Sequence, residues 1–223
     1  KEKLLPKTPS FRMSEETLEA LTKSYIESQP PGAPEMNFGW QGGEPTLMGV
    51  DFFRKAIAFQ KQYARPGLSI VNSIQTNGTL LDDAWGELLA EGKFLVGLSI
   101  DGPRELHDQW RVDKKGAATF DRVMQGLDVL RRHNVDFNTL TVVNNDNSRH
   151  PREMYDFLVS IGSTFFQFIP LVERDAEEGI HPRSVDPEIY GDFLSGIFDR
   201  WLRRDDIGRI FVQDFDLTLT LAM

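Results

Sequence analysis

The stretch FGWQGGEPTLMG, residues 38–49, ends an apolar run with two adjacent glycines, an acid and a proline. Gly42 and Gly43 leave the backbone bare beside the carboxylate of Glu44. Glycines at a strand end allow another group to come close to the main chain. This stretch therefore predicts a buried strand that ends in a polar turn.

Apolar runs alternate with helical segments along the chain. The expected strands are MNFGW (36–40), LSIVNSI (68–74), FLVGLSI (94–100), VDFNTLTVV (135–143) and TFFQFIP (164–170). Strands this apolar are typical of burial on both faces, and so of a parallel sheet with helices between its strands. The pattern indicates an α/β fold. It leaves open a (β/α) barrel, whole or partial, and a doubly wound open sheet.

The helical segments show apolar residues at helical spacing. In the first helix Ser14 is the expected N-cap, and we expect Leu18, Leu21 and Tyr25 to share one face. The opening segment KEKLLPKTPSF, residues 1–11, has the prolines of an irregular loop. The same spacing recurs in four later helices, through Phe53 and Ala56, Trp85 and Leu89, Val123 and Leu127, and Phe193 and Ile197.

The longest connection, ERDAEEGIHPRSVDP (173–187), is acidic and contains prolines. We expect it to be an exposed loop rather than a domain boundary. A length of 223 residues with 40% hydrophobic content allows one good core, or one domain with a partial second, and we expect residues 1–223 to form a single domain.

Composition excludes several classes of function. The net charge of −9 argues against a nucleic-acid-binding surface, which needs a basic face. No apolar run reaches the roughly 18 residues of a membrane span, and no signal peptide is visible, so we expect a cytoplasmic protein without membrane association. The chain has no cysteine, so it cannot by itself form a disulfide framework or a thiolate metal site.

Polar residues and glycines cluster where the predicted strands end. These ends are WQGGEP (40–45), QTNGT (75–79), SIDGP (99–103), VVNND (142–146) and IPLVE (169–173). Ligands of parallel α/β folds bind at the carboxyl ends of the strands. One polar end is ordinary, but the first four of these five ends all carry glycine and polar residues, and together they predict a single polar pocket built from several strands.

Each of these residues also has an ordinary structural interpretation. Asn77-Gly78 is typical of a turn with positive φ, and Asp101 of a loop with a side-chain-to-backbone bond. Glu44 could be a solvated acid, and Arg111 a surface ion-pair partner. The four histidines are scattered and lack the pairing of a metal site, and the usual nucleotide and nucleophile motifs are absent.

Four stretches in series carry a family resemblance. WQGGEPTLMG (40–49), QTNGTLLDD (75–83), VGLSIDGPRELHDQWR (96–111) and FQFIPLVER (166–174) resemble the radical S-adenosylmethionine (SAM) proteins, and more narrowly the anaerobic sulfatase-maturating enzymes. The resemblance covers nearly the whole chain in order. It implies a partial (β/α)6 barrel, incomplete here at the N-terminal strand.

The resemblance also implies a specific chemistry. Such enzymes bind SAM on a 4Fe–4S cluster held by the cysteines of a CxxxCxxC loop. A 5′-deoxyadenosyl radical then takes a hydrogen atom from a Cys or Ser of a sulfatase polypeptide, which is oxidised to Cα-formylglycine. The implied partners are that sulfatase and an electron donor such as flavodoxin or ferredoxin. The cofactor supplies the chemistry, and the protein supplies position and electrostatics.

The resemblance assigns roles around the glycine pair. Gly42, Gly43 and Glu44 form the motif that receives the SAM amino group, which suits backbone carbonyls beside a carboxylate. Gln41 matches a position beside SAM and the peptide substrate. Asn77 lies on the same rim.

Three further positions match SAM contacts of the family. Ser99 matches a residue that binds the ribose through its hydroxyl, and Val172 an apolar residue against the adenine. Arg111 matches a residue that pairs with the SAM carboxylate, for which a forked guanidinium is suited. No catalytic residue and no metal ligand is assigned in this chain.

The chain departs from the family pattern because it lacks the CxxxCxxC loop and the later cysteines of two auxiliary clusters. We expect a segment of a longer protein that does not catalyse by itself, since a cluster needs thiolate ligands. A barrel without its first strand exposes an edge at MNFGW (36–40), which is an aggregation hazard. Two alternatives to a sulfatase-maturating enzyme remain: another radical SAM peptide-modifying enzyme, and a non-catalytic binding module with a degenerate barrel.

Overall fold

The computed structural model describes residues 12–175 and 179–222, so the predicted loop at residues 1–11 lies outside the described residues. The strands are Glu35–Trp40 (β1), Ser69–Thr76 (β2), Phe94–Ser99 (β3), Phe137–Val143 (β4), Phe165–Pro170 (β5), Arg174–Asp175 (β6), Gly179–Ile180 (β7) and Phe211–Val212 (β8). The α-helices are Glu15–Glu27 (α1), Val50–Tyr63 (α2), Asp83–Glu91 (α3), Arg104–Trp110 (α4), Phe120–Arg132 (α5), Pro151–Ser160 (α6), Pro187–Arg203 (α7) and Gln213–Ala222 (α8).

Six strands form one parallel sheet whose spatial order, β1-β2-β3-β4-β5-β8, follows the order of the sequence. A doubly wound sheet needs a point where the strand order reverses, and this sheet has none. The successive strands therefore wind in one direction, as in a barrel that has not closed. This order confirms the α/β prediction and decides between the two architectures that the sequence left open.

The helices begin where the sequence provides caps. The side chain of Ser14 accepts a hydrogen bond from the backbone of α1, as predicted, and Asp82 and Asp186 do the same for α3 and α7. Pro151 occupies the first turn of α6, where the missing N–H costs nothing. The helices pack their apolar stripes on one face of the sheet, and the buried side chains there include Phe53, Trp85, Leu89, Val123, Leu127, Met154, Phe193, Ile197 and Trp201.

The prediction that both faces of the sheet are buried is wrong for the inner face. A groove of about 240 Å³ lies there, and its lining mixes polar residues, among them Ser73, Gln75 and Gln167, with apolar ones such as Leu95 and Leu140. They alternate with buried residues such as Ile74, which faces the helices. An open barrel has few side chains to fill its interior, so this face stays accessible.

The strand β1 lies at the edge of the sheet, as the expectation of an exposed edge at MNFGW requires. Helix α1 covers part of this edge, since the hydroxyl of Tyr25 donates to the backbone oxygen of Asn37 at 3.1 Å. The predicted inner face of α1 is partly wrong. Leu18 is buried, but Leu21 is 46% exposed and the buried stripe continues through Thr22 and Ile26 instead.

Three features of the fold were not predicted from the sequence. Helix α4 is short, and β8 adds only two residues to the sheet. The connection 173–187 is not a plain exposed loop, because β6 and β7 pair as an antiparallel hairpin and Val185 is buried in the core. None of the helices in the described part of the chain is both long and apolar enough to span a membrane.

Candidate functional site

A cavity of about 540 Å³ opens at the carboxyl ends of β1, β2 and β3. Its lining is mainly polar and comprises Gln41, Gly42, Gly43, Glu44, Gln75, Thr76, Asn77, Ser99 and Arg111. Seven of the eight candidate residues thus lie around one cavity. The eighth, Val172, is not in this lining and is 72% exposed on the connection that follows β5.

The glycine pair is required by the backbone rather than by packing. Gly42 has φ +108° and Gly43 has φ +58°, which other residues adopt rarely or with strain. A Cβ atom added at either position would meet no atom within 4 Å. The space beside this turn is therefore open, and its peptide groups are accessible from the cavity side.

Glu44 ties the ends of two strands together. Its Oε1 accepts hydrogen bonds from the Thr46 backbone N–H at 3.1 Å, the Thr46 hydroxyl at 2.7 Å and the Thr76 hydroxyl at 2.7 Å. Its Oε2 accepts from the backbone N–H of Asn77 at 2.8 Å. The interpretation of Glu44 as a solvated acid is therefore wrong. With one recorded bond on Oε2, the carboxylate keeps accepting capacity toward the cavity.

The turn after β2 has the conformation that its sequence predicts. Gly78 has φ +73°, and Asn77 Oδ1 accepts from both the backbone and the hydroxyl of Thr79, at 2.9 and 2.7 Å. Helix α5 packs directly on this turn. A Cβ on Gly126 would lie 2.2 Å from the Gly78 oxygen, so the helix and the turn approach more closely than a side chain allows.

Arg111 forms a bidentate ion pair with Asp101, a residue that the sequence analysis treated only as part of a loop. Arg111 Nε lies 2.6 Å from Asp101 Oδ2, and Arg111 Nη2 lies 3.0 Å from Asp101 Oδ1. Asp101 is buried, whereas the Arg111 side chain is 25% exposed and reaches the cavity. Arg111 is therefore not an ordinary surface ion-pair partner, because it pairs with a buried carboxylate and its side chain also lines the cavity.

His107 lies behind this pair and is fully buried. Burial lowers the pKa of His107 to about 4, although the nearby carboxylates of Asp101 and Asp108 oppose the shift. The ring is therefore neutral at neutral pH. Among the residues that the structure describes, no group of three or more His, Cys, Asp or Glu side chains could hold a metal ion.

The cavity suits a ligand with charges of both signs. Its lining contains one carboxylate, on Glu44, and one guanidinium, on Arg111, together with hydroxyl and amide groups. An α-amino acid group carries an ammonium and a carboxylate that match these two charges. Gln75 and Thr76 also line the cavity and were not among the predicted site residues, although both belong to the polar strand end QTNGT (75–79).

Residues 5–158 match the sequence profile described as "Radical SAM superfamily". The chain belongs to the radical SAM superfamily. The family resemblance that the four sequence stretches carried is thus confirmed, and the six-stranded partial barrel is the architecture that the resemblance implied.

Within this superfamily the chain is similar to anaerobic sulfatase-maturating enzymes of both kinds. It is 45% identical over 211 residues to a serine-type enzyme of Klebsiella aerogenes, covering 94% of the chain and 51% of the relative. It is 39% identical over 209 residues to a cysteine-type enzyme of Clostridium perfringens, covering 92% of the chain and 55% of the relative. The chain thus spans about half the length of these curated relatives.

Two solved structures have a similar fold. The structure described as native anSMEcpe with bound AdoMet and Cp18Cys peptide has a TM-score of 0.85 and 38% sequence identity. It matches 92% of this chain and 56% of its own. Streptococcus suis SuiB bound to its precursor peptide SuiA has a TM-score of 0.67 at 15% identity, a likeness that concerns the fold alone.

Proposed function

We propose that the cavity at the strand ends binds SAM, and that the protein carrying this chain is a radical SAM enzyme. The observation that carries the proposal is the pair of opposite charges, Glu44 and Arg111, in one polar cavity of about 540 Å³. That volume lies in the range of ligand pockets that bury a drug-sized molecule. The methionyl group of SAM has the ammonium and carboxylate that these side chains complement.

The individual roles follow from the chemistry of each side chain. Glu44 and the accessible backbone of Gly42 and Gly43 would accept hydrogen bonds from the ammonium of SAM. Arg111 would bind the carboxylate with the N–H groups that Asp101 does not use. When bound and reduced by one electron from the donor named below, SAM would supply the radical that removes a hydrogen atom from the substrate. This chain's part is to bind SAM and orient it.

The remaining candidates are assigned by resemblance to the family. Ser99, at the end of β3, would bind the ribose through its hydroxyl. Gln41 would lie between SAM and the substrate peptide, and Asn77 would contribute to the rim. Val172 would cover the adenine, and its exposed side chain leaves apolar surface for such a contact.

The residues of this chain do not fit a 4Fe–4S cluster. Such clusters need thiolate ligands, and the chain has no cysteine. No step of the reaction is therefore assigned to a cluster held by these residues. We propose that residues 1–223 form a partial radical SAM core and that this chain alone is inactive.

The proposed reaction is oxidation of a Cys or Ser of a sulfatase polypeptide to Cα-formylglycine. Its support is the similarity to serine-type and cysteine-type sulfatase-maturating enzymes over more than nine-tenths of this chain. The proposal includes a low-potential electron donor such as flavodoxin or ferredoxin and a cytoplasmic location. Both of these parts rest on the family resemblance.

The test uses the full-length gene product, reconstituted anaerobically with iron and sulfide and supplied with dithionite, SAM and a sulfatase peptide. Separate peptides carry Cys or Ser at the target position. We expect 5′-deoxyadenosine and a peptide aldehyde that a hydrazine reagent traps. Glu44→Ala and Arg111→Ala should lose most of both products, whereas Arg104→Ala, which breaks the exposed Arg104–Asp121 pair, should keep them.

Two results would contradict the proposal. A protein with an intact cluster that releases no 5′-deoxyadenosine is not a radical SAM enzyme of this kind, and the binding-module alternative then applies. Release of 5′-deoxyadenosine without aldehyde on either peptide would keep the SAM site and reject sulfatase maturation. The enzyme would then modify a different peptide.

A further inference from the structure

The side chain of Arg111 is held by a carboxylate that is itself fixed. Asp101 Oδ1 accepts a hydrogen bond from the backbone N–H of Val142 at 2.9 Å, besides its bond from Arg111 Nη2. Val142 belongs to β4, the next strand of the sheet. The position of the guanidinium is therefore set by the sheet through Asp101, and not by Arg111 alone.

The backbone of Arg111 is held by a second route that starts at the same aspartate. The backbone N–H of Asp101 lies 3.2 Å from His107 Nδ1, and His107 Nε2 lies 3.1 Å from the Thr119 hydroxyl oxygen. The Thr119 hydroxyl in turn donates to the backbone oxygen of Arg111 at 2.6 Å. His107 and Thr119 are both buried, so water does not compete for these bonds.

The direction of each hydrogen bond in this route follows from chemistry. A backbone N–H can only donate, so Nδ1 of His107 accepts, and a neutral ring then carries its proton on Nε2. That proton goes to the Thr119 oxygen, and the Thr119 proton goes to the Arg111 carbonyl. A protonated ring would have no acceptor for the Asp101 N–H, so the route needs the neutral imidazole.

The arrangement leaves Arg111 able to bind a ligand. A guanidinium has five N–H donors, and the ion pair with Asp101 uses only Nε and one N–H of Nη2. The remaining donors, including both on Nη1, are outside the pair. A binding group whose side chain and backbone are both fixed in advance loses little freedom when a ligand arrives.

We propose that Asp101, through its carboxylate, and His107, through Thr119, are positioning residues that hold Arg111 in place for the carboxylate of SAM. Neither residue lines the cavity, and both act through Arg111. This inference rests on the proposed function, because it takes the ligand of Arg111 to be the SAM carboxylate. It adds the residues His107 and Asp101 of the stretch VGLSIDGPRELHDQWR to the binding apparatus.

The test measures equilibrium binding to the full-length, cluster-containing protein without reductant, so that SAM is not cleaved. The two probes are SAM and decarboxylated SAM, which lacks the group that Arg111 would bind. We expect Asp101→Asn to raise the Kd for SAM about tenfold and to leave the Kd for decarboxylated SAM within about twofold. The matched control Asp121→Asn removes the partner of exposed Arg104 and should change neither value.

The relay through His107 is tested at two of its members. His107→Phe removes both ring nitrogens, and Thr119→Val keeps the shape of the side chain but removes its hydroxyl. Each should raise the Kd for SAM about threefold to tenfold more than the Kd for decarboxylated SAM. Thr119→Ser restores the hydroxyl and should restore binding, which a general packing defect would not predict.

The possible outcomes separate this inference from the proposed function. A folded wild-type protein that does not bind SAM overturns both. If Arg111→Ala weakens SAM selectively while Asp101→Asn behaves like Asp121→Asn, the site stands and the positioning role fails. Equal weakening of SAM and decarboxylated SAM in the Asp101, His107 and Thr119 variants would also reject it, because that result shows general damage to the fold.

Discussion

Thr76 donates its hydroxyl to Glu44 Oε1 at 2.7 Å, so the last residue of β2 is joined to the turn that follows β1. The same carboxylate caps the 3₁₀ helix Pro45–Met48 by accepting from its Thr46 N–H. The acid of the glycine-rich turn thus has a structural role in addition to its proposed one. Its negative charge lies beside the cavity because four donors on the neighbouring residues Thr46, Thr76 and Asn77 hold it there.

Glu44→Gln should weaken both the fold and SAM binding. The amide places N–H groups where one carboxylate oxygen now accepts, so at least one donor loses its acceptor. We expect a loss of about 2 kcal/mol in the free energy of unfolding and an increase of about tenfold in the Kd for SAM. Denaturant titration and calorimetry measure the two effects. Glu35→Gln, on an exposed position of β1, is the control, and equal behaviour of both variants would contradict the role of Glu44.

The two glycines of the turn should differ in their tolerance of alanine. Gly43 has φ +58°, which alanine adopts at a cost of about 1 kcal/mol, whereas Gly42 at φ +108° lies outside that region and should cost about 2 kcal/mol or more. No atom lies within 4 Å of either added Cβ, so strain alone sets this order. Thermal unfolding of the two variants checks it, and a larger loss for Gly43→Ala would contradict it.

Two helical glycines should respond to alanine with opposite signs. Gly126→Ala in α5 brings a Cβ to 2.2 Å from the Gly78 oxygen, so the helix must move, and we expect a loss of about 2 kcal/mol or more. Gly191→Ala in α7 meets no atom within 4 Å, so helix propensity should raise stability by roughly 0.5–1 kcal/mol. Denaturant midpoints of both variants give the comparison. Equal losses would show that the close approach at Gly126 is not maintained in solution.

The burial of His107 should make stability depend on pH. Its pKa is lowered from about 6.5 to about 4 in the fold, mainly by burial and also by Arg111, against the opposing effect of Asp101 and Asp108. The unfolded chain therefore binds the proton first as the pH falls. The stabilisation is complete above pH of about 6.5 and is lost between that value and a pH of about 4, with a total of about 3 kcal/mol.

The measurement is the free energy of unfolding at several pH values for the wild type, His107→Phe and the control His150→Asn, whose histidine is exposed. The wild type and the control should lose stability together as the pH falls through this window. His107→Phe should be less stable at neutral pH and should show a shallower decline. A decline of the same steepness in all three proteins would mean that His107 does not cause it.

Some elements could be predicted because their signal is local. The five longer strands of the sheet follow from apolar runs, and α5 and α7 follow from residues such as Leu127 and Ile197 at helical spacing. Strand β8 could not be found, since two residues show no periodicity. The inner face of α1 was misassigned because its buried stripe includes Thr22, a polar residue whose hydroxyl is satisfied by the Leu18 backbone oxygen at 2.8 Å.

The residues of the candidate site also divide into those that the sequence predicts and those that only the structure shows. The glycine turn, Ser99 and Arg111 were found from the ends of the predicted strands and from the family resemblance, and the structure brings them to one cavity. For Asp101 the sequence predicts only a loop residue, because an Asp-Gly-Pro sequence predicts a turn whatever the side chain contacts. Nothing in the local sequence shows that this carboxylate reaches Arg111, ten residues later, and the backbone of Val142.

By itself the sequence determined which segments become the longer strands, where the chain turns, and which residues stand at the strand ends, because these depend on neighbours within a few positions. Only the tertiary structure decided that the sheet winds in one direction, that its inner face stays open, and that Asp101 and His107 hold Arg111 from both ends. Those features depend on strand pairing and on burial. Strand pairing brings together residues far apart in the chain, such as Asp101 and Val142, and burial depends on the whole fold, so no local pattern could encode these features.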